Sequence, residues 1–145
     1  MLQHQGVDYL AVAFADEGAL LRERGITMSI VVLNADADSF DLMIANRLEP
    51  EIYSFRSLAD FADAVSHAGE ARYPIHLKLD TGMHRLGFME DEIERLCAEL
   101  RTLPAVKVAS VFSHLNCADM PEEDAYTRAQ IARYDRMSAA VAASL

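Results

Sequence analysis

Residues 75–88 read IHLKLDTGMHRLGF. Strand alternation places Ile75, Leu77 and Leu79 on one face and His76, Lys78 and Asp80 on the other. The apolar face needs a cover of helices. In an arc of a (β/α)₈ barrel the other face points inward, and polar residues at the carboxyl end of a barrel strand usually belong to a site. Thr81-Gly82-Met83 then reads as a turn that brings Arg85 back to the strand end. Lys78 and Arg85 would converge there as two cations, which repel unless an anion lies between them or one is neutralised. Two readings stand at this level. One is a bound anion, an anionic cofactor or a modified lysine. The other is a buried lysine paired with Asp80 and a surface arginine.

Working outward, strands and helices alternate along the whole chain. Residues 9–14, 28–33, 51–54, 75–79 and 106–112 are short apolar or β-branched runs of strand length. Between them, 16–24 reads as a helix with Asp16 as N-cap and Gly25 as its stop. Residues 39–46 form a short helix. Ser54 or Ser57 caps a longer one to His67, with Leu58, Phe61, Ala62 and Val65 on one face. Residues 90–100 turn Ile93, Leu96, Cys97 and Leu100 inward. A last helix runs over 122–145, with Tyr126, Ala129, Ile131, Tyr134 and Met137 supplying apolar surface. Five successive βα units predict an α/β fold with a parallel sheet. Length favours an open, doubly wound sheet, because a full barrel takes about 250 residues. The chemistry after the fourth strand favours a barrel arc.

Composition narrows the function. The 145 residues carry 13 Lys plus Arg against 23 Asp plus Glu, a net charge of −10, with no basic stripe. Nucleic acid and anionic membranes are therefore poor partners. No apolar run approaches the roughly 18 residues of a membrane span, and the first ten residues lack a signal-peptide pattern. Cys97 and Cys117 have no metal-ligand spacing and read as thiols of a reducing, cytoplasmic compartment. No P-loop, dinucleotide fingerprint or EF-hand loop is present, and Ser113-His114 has no partner for a hydrolase triad. His76 reads as an inward structural histidine, His84 as a loop residue, and His4 and His67 as solvated. Asp36, Asp38 and Asp41 read as a solvated loop, so no metal site is expected. Lysines are scarce: Lys78 and Lys107 are the only two beside eleven arginines.

The string KLDTGMHRLGF (78–88) closely resembles the bacterial alanine racemases. LAVAFADEGALLRERGI (10–26) resembles that family's second barrel strand and helix, IVVLN (30–34) its third strand, and VFSHLNCAD (111–119) the segment after its sixth strand. The string with VFSHL is most similar to racemase halves fused to a cell-wall peptide ligase. The resemblance implies a partial (β/α)₈ barrel, with residues 1–145 spanning about strand 2 to helix 6 of the pyridoxal-phosphate (PLP) binding domain and no complete second domain. It implies a homodimeric enzyme that interconverts L-alanine and D-alanine for peptidoglycan synthesis. Lys78 matches a lysine that is often carbamylated and supports the site. Arg85 matches the arginine at the cofactor's phenolic oxygen and the substrate carboxylate. His114 matches the histidine that hydrogen-bonds the catalytic tyrosine. Leu33 matches an apolar contact to the cofactor ring.

The departures matter equally. The family's PLP lysine sits in a KA-x-AYGHG motif that this sequence does not contain. The segment H-x-ANSA, the arginine at the pyridine nitrogen and the catalytic tyrosine are likewise not found; neither Tyr126 nor Tyr134 sits in the tyrosine's motif. The expectation is a supporting shell that is inactive without the rest of a racemase chain. The alternatives are a non-catalytic α/β module derived from a racemase, or another PLP barrel, against which the DTGMHRLGF string argues.

Overall fold

The computed structural model describes residues 5–145. Five strands alternate with five helices: β1 (Tyr9–Val12), α1 (Ala15–Glu23), β2 (Ser29–Val32), α2 (Phe40–Ala45), β3 (Glu49–Ile52), α3 (Phe55–His67), β4 (Tyr73–Lys78), α4 (Ile93–Leu100), β5 (Val106–Phe112) and α5 (Asp124–Ser144). Short 3-10 turns lead into α2, α4 and α5. All neighbouring strands are parallel, in the spatial order β1-β2-β3-β4-β5.

That order decides between the two closures. Sequential parallel strands joined by right-handed crossovers put every helix on one side of the sheet. A doubly wound sheet reverses its strand order part-way and coats both faces. The sheet also curls. The Tyr9 ring of β1 meets the His76 ring of β4 edge-on, with centroids 5.2 Å apart, although β2 and β3 lie between them. The molecule is an arc of a (β/α) barrel with an inner face and a helix-covered outer face.

The outer face carries the core. Ile75, Leu77 and Leu79 are fully buried in one cluster with Leu58, Phe61 and Val65 of α3, Leu96 of α4, and Met137 and Val141 of α5. Tyr73 closes the base of this cluster, its hydroxyl donating to the carbonyls of Leu48 (3.0 Å) and Met43. Burial, reinforced by Glu49, pushes its phenol up to about 12. β4 and β5 pair in register from Tyr73 to Ile75, then shift by one residue: Ile75 faces Val108, but His76 faces Ser110.

Local chemistry corrects several element ends. Asp16 is not the cap of α1. The helix starts at Ala15, Phe14 occupies the cap position, and the Glu17 carboxylate accepts the Ala13 and Phe14 N–H groups. Of the two candidate serines before α3, Ser54 is the cap, accepting from Ser57 N at 3.1 Å. β3 begins earlier than its apolar residues suggest, at Glu49, and β4 begins at Tyr73. α5 begins at Asp124. Its buried residues are Gln130, Met137 and Val141, while Tyr126 and Ile131 remain exposed. Asp36 caps the turn into α2 by accepting from Ser39 N. His67 is exposed on α3, and His4 lies outside the described residues. Among the described residues no helix is long and apolar enough to cross a membrane, and both cysteines are free.

Candidate active site

The inner face of β3 and β4 is polar and paired. Parallel pairing sets Glu51 opposite His76 and Ile52 opposite Leu77. Glu49, Glu51, His76 and Lys78 therefore point into the arc together. His76 is buried, with Nε2 2.8 Å from Glu49 Oε2 and Nδ1 2.6 Å from Ser110 Oγ. Its structural role follows from these two bonds. Lys78 Nζ lies 3.3 Å from Glu51 Oε1 and 4.7 Å above the Phe112 ring. The Lys78–Glu51 contact is an ion pair, and Glu51 Oε1 accepts no aligned hydrogen bond among the described residues. Burial raises the Glu51 carboxyl above its ordinary range, while Lys78 and, from farther away, Arg85 pull it down.

Asp80 does not partner Lys78. Its carboxylate turns back into its own loop and accepts the N–H groups of Gly82 (2.9 Å) and His84 (3.0 Å), with the His84 ring 3.4 Å away. This self-capped loop, 80–87, then returns to the strand. Phe88 N donates to Lys78 O and Asp80 N donates to Phe88 O, both at 2.9 Å, forming a parallel bridge. Gly87 makes the return possible: at φ +124°, a Cβ there would fall 2.6 Å from Asp80 N. His84 sits at φ +55°, an uncommon conformation for a side-chain-bearing residue.

α5 holds the loop from the other side. Gln130, almost fully buried, donates from Nε2 to Thr81 Oγ1 and to His114 O. Ser113 Oγ donates to Leu79 O at 2.8 Å. Its single proton is thereby used, so Thr81 must donate to Ser113 across their 2.7 Å contact. Arg133 donates to Thr81 O and Tyr126 to Gly82 O. Tyr126, Gln130 and Arg133 share one helix face by their spacing of four and three.

Lys78, Asp80, Arg85 and His114 thus border one crevice, beyond the carboxyl ends of β4 and β5. The Arg85 and His114 side chains are exposed, and neither has a hydrogen-bond partner among the described residues. Leu33 follows β2 at the same end of the sheet, half-buried, its N–H bonded to Val12 O. Lys107, by contrast, lies at the start of β5, at the opposite end. The residues that sequence reasoning missed are Glu49 and Glu51, and the α5 triplet. The only signal for the carboxylates was their i, i+2 spacing in a segment that also holds Pro50.

A parallel strand-helix arc with unpaired polar side chains at the carboxyl ends of its strands defines the class: part of a barrel enzyme domain. The family model described as "Alanine racemase, N-terminal domain" matches residues 1–145, and the chain belongs to that family. The alanine racemase of Nitratidesulfovibrio vulgaris (strain DP4) is 37% identical over 142 residues, 95% of this chain and 37% of the relative. That of Haemophilus influenzae is 37% identical over 134 residues, 90% of this chain and 36% of the relative. The solved alanine racemase of Clostridium difficile 630 superposes with a TM-score of 0.89 at 31% identity, covering 99% of this chain and 37% of that one. The Bartonella henselae alanine racemase, solved with covalently bound pyridoxal phosphate, shares the fold at a TM-score of 0.80 and 20% identity, covering 97% of this chain and 41% of that one. The chain spans little more than a third of the length of these relatives.

Proposed function

We propose that this chain supplies one wall of the catalytic site of a PLP-dependent alanine racemase acting on L- and D-alanine in the cytoplasm for peptidoglycan synthesis. The observation that carries the reading is the convergence of Lys78, Arg85 and His114 on one crevice at the carboxyl ends of β4 and β5. The donor set fits part of a PLP site. Arg85 presents a free guanidinium, whose planar fork suits a phenolate or carboxylate oxygen, and Leu33 offers apolar surface at the same end of the sheet. The covalent anchor does not fit either lysine: Lys78 is held against Glu51 and Lys107 faces the opposite end.

When bound, PLP takes up the electron pair left as the α-proton departs. This chain's residues would orient rather than transfer. Arg85 would hold an oxyanion of the cofactor or substrate. The His114 imidazole would hydrogen-bond a tyrosine hydroxyl brought by the rest of the racemase and so bias its proton affinity. The two proton-transferring bases, a lysine and a tyrosine, would come from elsewhere in the dimeric enzyme.

The test combines labelling and turnover. The 145-residue chain is mixed with PLP, reduced with borohydride and mapped, then assayed for D-alanine formation with and without polypeptides carrying the lysine strand and the tyrosine domain. The expected result is no specific adduct on Lys78, no turnover by the chain alone, and turnover on reconstitution that falls in an Arg85→Ala variant. Racemisation by the chain alone, or a stoichiometric adduct on Lys78, would overturn the assignment.

A further inference from the structure

The amino ends of β2, β3 and β4 frame a cavity of about 330 Å³, at the opposite end of the sheet from the Lys78–Arg85 crevice. Its walls come from α1 and from the joints that lead into these three strands, so they belong to consecutive βα units of this chain. Both signs of charge line it, Arg22, Arg47 and Arg72 against Glu49 and Glu70. We propose that this cavity binds a small zwitterion of the α-amino-acid class, with the ammonium held at Glu49 on the floor and the carboxylate at Arg47 and Arg72 on the rim.

The floor is a carboxylate with one oxygen to spare. Glu49 is 7% exposed, and its Oε2 is spent on His76 Nε2 at 2.8 Å. Oε1 accepts no hydrogen bond among the described residues, yet it is not sealed from solvent, so it opens onto the cavity that Glu49 lines. The Arg22 guanidinium fixes one wall by donating to the carbonyls of Ile26, Met28, Asn46 and Arg47 at 2.7–3.0 Å. Arg47, Glu70 and Arg72 are exposed, and their side chains have no hydrogen bond or ion pair among the described residues. Opposite charges that share a cavity without pairing leave both signs to a ligand. A simple anion would meet the two carboxylates there, and a simple amine the arginines. The charges stand close enough to act on one hydroxyl: burial does most to raise the Tyr73 phenol, Glu49 and Glu70 raise it further, and Arg22 and Arg47 lower it. The backbone points the same way. Arg47 and Arg72 stand at φ +50° and +55°, at the joints into β3 and β4, whereas the joint into β2 uses Gly25 at φ +81°. Glycine takes this left-handed conformation without steric cost. Strain kept at side chains that touch no partner within the chain points to a use for them outside it.

Glycine is the probe. It is the smallest such zwitterion and has no stereocentre to invert, so a failure here is separate from a failure of the racemase reading. The ¹⁵N-labelled chain is titrated with glycine, and amide shifts are followed at Ser29, Glu49, Glu70 and Arg72. Saturable shifts centred on these amides are expected, with a dissociation constant of about 1 mM, the range open to a ligand held by a few part-exposed charge contacts. Acetate and methylamine each carry half of the charge pattern and should each bind about fivefold more weakly. Arg72→Gly should weaken glycine by about the same factor. That variant keeps its fold, checked by circular dichroism, because glycine suits φ +55°. The absence of saturable shifts with glycine would overturn the proposal. So would acetate, methylamine or inorganic phosphate binding as tightly as glycine, or an unchanged glycine affinity in folded Arg72→Gly.

Discussion

Substituting Gly87 by alanine isolates the cost of closing the site loop. The residue stands at φ +124°, where L side chains are strained by about 1–3 kcal/mol. The added Cβ would meet Asp80 N at 2.6 Å, Leu79 C at 2.8 Å and Lys78 O at 3.0 Å. All three are backbone atoms of the strand end, so no side-chain rotation relieves the contact. The segment must move, and the two hydrogen bonds of the Phe88 bridge stretch or break, at about 1 kcal/mol each. The expected loss is roughly 3–5 kcal/mol, a large part of the ~5–15 kcal/mol that holds an ordinary domain together. Urea unfolding followed by circular dichroism measures it, with native-state hydrogen exchange at Phe88 and Asp80 reporting the bridge. A loss under about 1 kcal/mol with both amides still protected would refute the close-approach argument, because that strain could not be absorbed without breaking the bridge.

Other perturbations test separate parts of the molecule. Ser54→Ala removes the cap of α3 and should cost ~1 kcal/mol in urea melts, with little change in the m-value. Gln130→Leu keeps the volume but removes the donors to Thr81 and His114. Exchange protection should fall at Gly82 and His84 while the α3 amides are unaffected; unchanged loop protection would deny α5 its holding role. Tyr73, with its phenol at about 12, favours the neutral form in the folded state. Its contribution is fully present below the unfolded value of about 10 and is lost as pH rises through 12. Phenolate absorbance should show one late-titrating tyrosine, and Tyr73→Phe should abolish that step.

The parts of the fold legible in the sequence were those governed by short-range periodicity. The alternation over 75–79 placed the buried face correctly because both faces are decided within one strand. The spacing of Leu58, Phe61, Ala62 and Val65 likewise identified the buried face of α3. The convergence of Lys78 and Arg85 was legible too, since a short turn constrains where the chain can go. Glu49 and Glu51 were not. The strand read from the sequence begins at Glu51 and leaves Glu49 outside it; that both carboxylates face inward shows only when His76 and Lys78 arrive from the next strand to pair with them. The partner of Asp80, left open between two readings, was undecided for the converse reason. Two N–H groups of its own turn lie nearer than any lysine, and local bonds to a carboxylate outcompete a distant cation. The closure of the sheet needed the strand order, which no single segment encodes.

The one-residue shift between β4 and β5 sets an odd–even rule for the floor of the site. Up to Val108 the even residues of β5 share the outer face with Tyr73 and Ile75; beyond it, Ser110 and Phe112 lie inward with His76 and Lys78, and Val111 goes outward with Leu77. Ala109 is the residue that changes the parity. Were the register to run on unshifted through it, Val111 would stand opposite the lysine. The aromatic ring under Lys78 and the hydroxyl on His76 both follow from that shift, which is taken up at one small, uncharged residue.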